Sequence, residues 1–390
     1  MSELKNRGRG FVGSLLILTS FFLLIFGFTG VSLLAPKRTF SSNENRLLAQ
    51  RPEFSSQALW SGKLTAEYET YITDQFFLRD DWIRMKTISE LLLNKQDING
   101  VYLAKDGYLV ERHTDAEIDA DTCAKNIGNL LSFAERYTGQ LGTGHVKVML
   151  VPTASELLTD KLPAFANGFD QEGMLDGIYA QLPEEVGTDI RPALKEHAGE
   201  YIYYKTDHHW TTLGAFYAYQ AWAEQSGFSP ARLEEVTQVV VAEDFLGTIH
   251  SKLNLDWSKD VMLRFDLPTI PEVTVEYDMS KKKYDTMYME SHLTTKDKYS
   301  YYLDGNHGLV EIRNQNPKGD GSTLLLIKDS FSHCFAPFTT QHFDTVYLVD
   351  FRYFNMPISQ FIENYGVTDI LVLYNGITFA TDIHTFQFLR

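Results

Sequence analysis

Cysteine is nearly absent from this 390-residue chain, which holds only Cys123 and Cys334. That excludes a disulfide framework and a Cys-rich zinc site. Basic residues are also scarce, with 35 Lys and Arg against 51 Asp and Glu. The formal net charge of −16 argues against a nucleic-acid binder, because such affinity is built from Lys and Arg on phosphates. No Gly-rich loop of the Walker or Rossmann kind is present. No HExxH or similar helix motif offers a metal site, and no internal repeat organises the chain. Long apolar runs are missing with one exception, and the mean hydropathy is slightly negative, so a polytopic membrane protein is excluded. What is present is 44% hydrophobic, 13% aromatic and 22% charged. Such a composition supports a sizeable core and excludes wholesale disorder. At about 150 residues per domain, the length allows two or three domains, or one large domain with attachments.

The exceptional run is Phe11 to Ala35, 25 consecutive residues without a charge. About 20 apolar residues cross a bilayer core as a helix, so it predicts one transmembrane segment. It is longer than the apolar core of a signal peptide, and no Ala-x-Ala motif or lipobox cysteine follows. An uncleaved signal anchor is therefore expected. Lys5, Arg7 and Arg9 precede the run, and Lys37 and Arg38 follow it. The upstream excess places residues 1–10 in the cytoplasm as a short tip and the main domain outside the cell membrane. That tip carries three basic residues and one acidic one, leaving the exported remainder at −18.

Residues 36–60, with Pro36, a Ser-Ser-Asn cluster and Pro52, read as a linker. Leu78, Trp82, Met85, Ile88 and Leu92 recur at spacings of three and four within residues 68–95, predicting a packed amphipathic helix. Residues 101–111 predict a hairpin turning at Asp106-Gly107. Residues 36–115 thus form a linker, a helical lead-in and a hairpin. From 116 to 390, apolar runs alternate with helical patterns. Helices are expected over 122–137 and 211–226, the second stopped by Gly227. Strands are expected over 146–152, 201–206, 322–327, 344–351 and 368–374. Continuous apolar strands between helices indicate an α/β fold, a mostly parallel sheet flanked by helices. Residues 228–320, polar and rich in Tyr and Lys, interrupt it as an inserted irregular or β segment. Its tyrosines (Tyr277, Tyr284, Tyr288, Tyr299, Tyr301, Tyr302) are expected on exposed edges, where sugar stacking competes with a role without ligand.

In open α/β sheets, reactive groups gather at the carboxyl ends of strands. Two predicted strand ends carry unusual polar residues: Thr206-Asp207-His208-His209-Trp210 and Lys328-Asp329-Ser330-Phe331. A hydroxyl is a weak nucleophile until a base accepts its proton, and an imidazole needs an acidic partner to fix its tautomer. Ser330, one histidine of the pair and Asp207 supply those roles. A structural role competes, since Asp-Ser after a strand is also a common helix N-cap. A metal on Asp207, His208 and His209 is disfavoured, because adjacent histidines rarely both reach one ion. The backbone N–H of Ser330 or its neighbour is the default oxyanion donor. Arg352, Tyr374 and Asn375, near later strand ends, are side-chain candidates, and Thr153 and Ser155 are candidates to line the pocket. Cys334, four residues after Ser330, reads as a buried structural thiol.

The run YYKTDHHWTTLGAFYAYQAW (203–222) resembles the signature of the DHHW protein family of bacterial cell envelopes. It is also similar to the Asp-x-His-Trp-Thr motif of the alginate O-acetylation proteins AlgJ and AlgX, which have SGNH-hydrolase-like folds. ENRLLAQRPEF (44–54), YITDQFFLRDDW (71–82), INGVYLAKDGYL (98–109) and KDSF (328–331) fit the DHHW pattern as well. The resemblance thus spans almost the whole exported portion. It implies an SGNH-like domain over 116–390 with an insertion at about 228–320. By position it implies Ser330 as nucleophile, His209 as general base and Asp207 as its orienting acid, with His208 left to orient substrate or to serve structurally. The order Asp, His, Ser agrees with those relatives and differs from the usual secreted SGNH esterase order.

The implied function is a membrane-anchored, extracytoplasmic O-acetyltransferase acting on an exopolysaccharide or cell-wall glycan through an acyl-enzyme, without a cofactor. A membrane-bound O-acyltransferase is the implied partner for acyl delivery. The alternatives are a carbohydrate acetylesterase using the same triad, and a non-catalytic envelope scaffold or glycan-binding protein.

Overall fold

Val, Ile and Leu dominate Val146–Val151, Thr323–Lys328, Thr345–Val349 and Asp369–Asn375, a composition suited to strands covered on both faces. A computed structural model of the chain describes residues 2–390 except 42, 45 and 184, with side chains from residue 13 onward. In it these four strands are parallel neighbours. Successive side chains along a strand point to opposite layers. Leu324, Leu326, Leu371 and Leu373 share a core with Phe216, Tyr219 and Trp222 of the helix Thr212–Gln225. Leu325, Ile327, Ile370 and Val372 share the other core with Leu130, Phe133 and Tyr137 of the helix Ala120–Leu141. Asp119 caps that second helix by accepting from Thr122 N at 2.7 Å.

The central sheet has seven strands and is mixed, which corrects the expectation of a mostly parallel one. Beyond Thr345–Val349 it continues through Leu309–Asn314, Val273–Tyr277 and Lys283–Tyr284, each antiparallel to its neighbour. All three come from the 228–320 segment, which extends the sheet rather than standing apart from it. An antiparallel strand can take a free sheet edge without a helical crossover. The same segment also holds a bulged antiparallel ladder of Thr237–Phe245 with Asp260–Asp266.

The predicted strand over 201–206 is a second correction. Among the described residues its only ladder contact is the isolated bridge Tyr203–Trp210. The backbone N–H groups of Lys205 and Thr206 donate instead to the Asp260 carboxylate, at 2.7 and 2.8 Å. A side chain has replaced the neighbouring strand as their acceptor, and this leaves 206–209 as a tight loop.

The chain divides into two compact units, residues 1–89 and 90–390; the sheet belongs to the second. In the first, one helix, Ser2–Leu34, contains a 22-residue stretch, Gly13–Leu34, long and apolar enough to cross a membrane. At 1.5 Å per residue it spans about 33 Å. The flanking Lys5, Arg7 and Arg9 side chains lie outside the described residues. Two further helices, Lys63–Asp74 and Arg79–Leu92, replace the single predicted one. They break at Leu78, whose backbone is left-handed with φ 55°. The apolar stripe does not pack as expected: Leu78, Met85, Ile88 and Leu92 are exposed. Periodicity sets which face is apolar without supplying a surface to cover it. Trp82 makes ring contacts with Phe28 and Phe76.

Candidate active site

Ser330 opens a short 3-10 turn directly after the strand Thr323–Lys328. Asp329 holds that turn: one carboxylate oxygen accepts from Phe331 N at 2.9 Å and the other from Asn375 N at 2.8 Å, on the neighbouring strand. The capping role anticipated for Asp-Ser therefore falls to the aspartate, leaving the serine side chain unused by the backbone. Trp210 Nε1 donates to Phe331 O at 2.8 Å, tying the serine turn to the histidine loop.

That loop is held from below by Asp260, which also accepts from the hydroxyls of Thr206 at 2.5 Å and of Tyr201. Asp207 points back into the protein. Its carboxylate accepts from His209 N at 3.0 Å and from Thr248 N at 2.8 Å. Gly247 allows this approach, since a Cβ there would sit 2.2 Å from Asp207 Cβ. His209 Nδ1 lies 2.5 Å from Asp207 Oδ1, and His209 Nε2 lies 2.8 Å from Ser330 Oγ. Asp207 and His209 are buried, whereas Ser330 keeps partial exposure.

The electrostatics follow from this burial. Desolvation, aided by the adjacent His208, pushes His209 down to about 4 against the opposing pull of Asp207, so its imidazole is neutral at physiological pH. Burial pushes Asp207 up, but both histidines and the bonds from His209 and Thr248 outweigh it and hold the carboxyl well below the usual carboxylate range. An ionised Asp207 accepts the Nδ1 proton, and Nε2 then presents its lone pair to the serine hydroxyl. Asp207, His208 and His209 also bring potential metal ligand atoms within 4.8 Å of one another. However, both ring nitrogens of His209 and the Nδ1 of His208 are engaged by protein groups.

A cavity of about 470 Å³ adjoins these residues, and His208, Thr248 and Phe331 are in its wall. Thr153, Ser155 and Asn375 line it too, the first two joined through their hydroxyls at 2.8 Å. Asn375 offers little further capacity: its amide donates to Val151 O at 3.3 Å, and its Oδ1 accepts from Ile377 N and Thr378 N. Arg352 and Tyr374 are not brought to the cavity. The Arg352 guanidinium is committed to Asp350, at 2.9 and 2.6 Å. Tyr374 points into the core shared with the helix Ala120–Leu141. Cys334 is buried, and that burial pushes its thiol up to about 12.

Tyr299 was not anticipated as a site residue. It lies flat against His209, with ring centroids 3.9 Å apart and planes 12° apart, and its hydroxyl donates to Ser330 O at 3.2 Å. Tyr277, Tyr301 and Tyr302 are likewise buried, correcting the expectation of exposed edges. These rings belong to the core that holds Leu324, Phe216 and Phe331. Glu111, His113 and Lys252, also in the cavity wall, carried no local motif by which sequence could have flagged them.

Residues 134–349 match the model of the DHHW protein family. Among solved structures, a DHHW family protein from Eubacterium siraeum shares 23% identity at a TM-score of 0.62, covering 75% of this chain and 96% of its own. PatB1 of Bacillus cereus, solved with a sulfonyl adduct, shares 18% identity at a TM-score of 0.60, covering 74% and 98%. The O-acetyltransferase domain of Pseudomonas putida AlgJ matches at 13% identity and a TM-score of 0.42, over 73% and 93%. No curated protein matches. The first two structures establish a common fold.

Proposed function

The chain belongs to the DHHW protein family, and from that premise we propose that it is an O-acetyltransferase of extracytoplasmic glycan working through Ser330, His209 and Asp207. The observation that carries this reading is the continuous chain from Asp207 through His209 to Ser330, at 2.5 and 2.8 Å. In the first half-reaction Ser330 Oγ attacks the acetyl carbonyl carbon while His209 Nε2 takes its proton, and Asp207 stabilises the resulting imidazolium. The donor's alkoxide leaves with that proton, and the acetyl group stays on Ser330 as an ester. In the second half-reaction a sugar hydroxyl attacks this ester, His209 takes its proton, and the bond to Ser330 Oγ breaks with the proton returned to the serine. The Ser330 N–H, at the first position of the 3-10 turn, has no partner within the turn, as is general for helix N-termini. It serves as oxyanion donor.

The Gly13–Leu34 helix anchors the protein in the cell membrane, residues 1–10 are cytoplasmic, and the linker, helical lead-in and hairpin (36–115) connect to the SGNH-like domain (116–390) outside. A membrane-bound O-acyltransferase delivers the acyl group from within. The test is acetate release from a chromogenic acetyl ester, with and without bare glycan. Wild type turns the ester over and acetylates glycan, and Ser330→Ala does neither. Equal release by both proteins would refute the triad, and release without glycan acetylation would assign an esterase instead.

A further inference from the structure

His208 is the one member of the Asp-His-His run that the proposed acyl chemistry does not use. It is half-buried in the cavity wall beside His209, with ring centroids 3.9 Å apart. Its Nδ1 lies 2.7 Å from Thr248 Oγ1, which lies 3.2 Å from Asp207 Oδ2. An ionised carboxylate only accepts, so an oxygen–oxygen approach of this kind places the Thr248 proton between the two. With its one proton so used, Thr248 Oγ1 accepts from His208 Nδ1–H. The 3.7 Å separation of the same nitrogen from Asp207 Oδ1 agrees. This hydrogen bond places the ring proton on Nδ1 and leaves Nε2 to face the ligand as an acceptor. Both histidines of the pair have the same tautomer, and each offers an unprotonated Nε2.

The rest of the cavity is uncharged on balance and rich in hydroxyls. Its two opposite charges, Glu111 and Lys252, are paired with each other. Burial pushes Glu111 up, but the paired Lys252 outweighs this and holds its carboxyl down. His113 is held down chiefly by burial. No charge is left over to meet a charged ligand, while Thr153, Ser155, Thr378 and Thr381 line the wall with hydroxyls. The volume of about 470 Å³ falls within the ~300–1,000 Å³ of small-ligand pockets. Adjacent hydroxyls on a sugar ring are about one hydrogen bond apart, a spacing on the scale of the 3.9 Å between the centroids of the two tilted imidazoles.

Resting on the acyl-transfer reading above, we propose that this cavity is the acceptor site and takes an uncharged sugar bearing two adjacent hydroxyls. His209 Nε2 removes the proton of the attacking hydroxyl, while His208 Nε2 accepts a hydrogen bond from its neighbour. His208 thereby selects a sugar diol over a simple alcohol or water. No atom is transferred to His208 in either half-reaction.

The experiment is a competition on the full chain, with p-nitrophenyl acetate as donor. Cellotriose and n-propanol are present together, and the two acetyl esters formed are quantified as a ratio. Both products descend from one acyl-enzyme, so the ratio does not depend on how much of a variant is folded. In His208→Phe the sugar-to-propyl ratio falls about tenfold, the scale of losing one hydrogen bond in a buried site. In His208→Gln, whose amide oxygen can still accept, it falls less. An unchanged ratio in His208→Phe would overturn the proposal, as would a wild type that acetylates an oligouronate in preference to cellotriose. Failure of the underlying reading looks different: wild type then forms neither ester, or Ser330→Ala forms both as fast as wild type.

Discussion

At the residue scale, the site turns on how a buried imidazole is kept neutral and aimed. The depressed His209 sets the pH dependence. In the proposed mechanism its neutral form is the base, so kcat/KM for an acetyl ester should be level through neutrality and fall as pH drops through about 4. A stopped-assay pH profile checks this; an acid limb centred near the ordinary histidine value of about 6.5 would contradict it. Tyr299 is a positioning residue in this scheme, because it covers one face of His209. Tyr299→Leu should lower kcat by about tenfold or more and move the acid limb upward, as water reaches the imidazole and its desolvation weakens. Tyr299→Phe keeps the stacking ring and should leave the limb in place. The Asp-His-His and Asp-Ser runs were legible in sequence because chemistry-bearing residues crowd the ends of segments. Tyr299 was not, since nothing local distinguishes it from the other tyrosines between 277 and 302; only the folded contact does.

At the scale of elements, the active loop is held by side chains rather than by a ladder. Asp260 collects two backbone N–H groups and two hydroxyls around residues 201–206. Asp260→Ala strands these buried donors and should cost about 3 kcal/mol of stability, read from urea unfolding. Gly247→Ala places a Cβ against Asp207 and should reduce acetyl-ester turnover more than it reduces stability, because the displaced group orients the base. The parallel strands were readable as uninterrupted apolar runs. The antiparallel half was not: Val273–Tyr277 and Leu309–Asn314 are short, half-polar segments, and both partners of Leu309–Asn314 lie far away in sequence. The 201–206 run has a strand's composition, yet the distant Asp260 took its hydrogen bonds. Neither pairing has a local signature.

At the scale of the whole molecule, a single apolar helix precedes an acidic α/β domain, and both were legible from hydropathy and charge alone. The exposed stripe of Leu78, Met85, Ile88 and Leu92 was not, because amphipathic spacing reports a face and not its partner. If Gly13–Leu34 is the anchor, the full chain should stay with membranes through alkaline carbonate washing, and a chain starting at residue 36 should not. The proposed function stands on Ser330 carrying the acetyl group between donor and glycan. Its most direct test is peptide mass analysis of the full chain, quenched in acid within the first turnovers of an acetyl ester. An acetyl adduct is expected on the peptide containing Ser330, discharged when glycan is added and absent from Ser330→Ala. Turnover with no adduct at Ser330, or an adduct that persists in Ser330→Ala on another residue with activity retained, would contradict it.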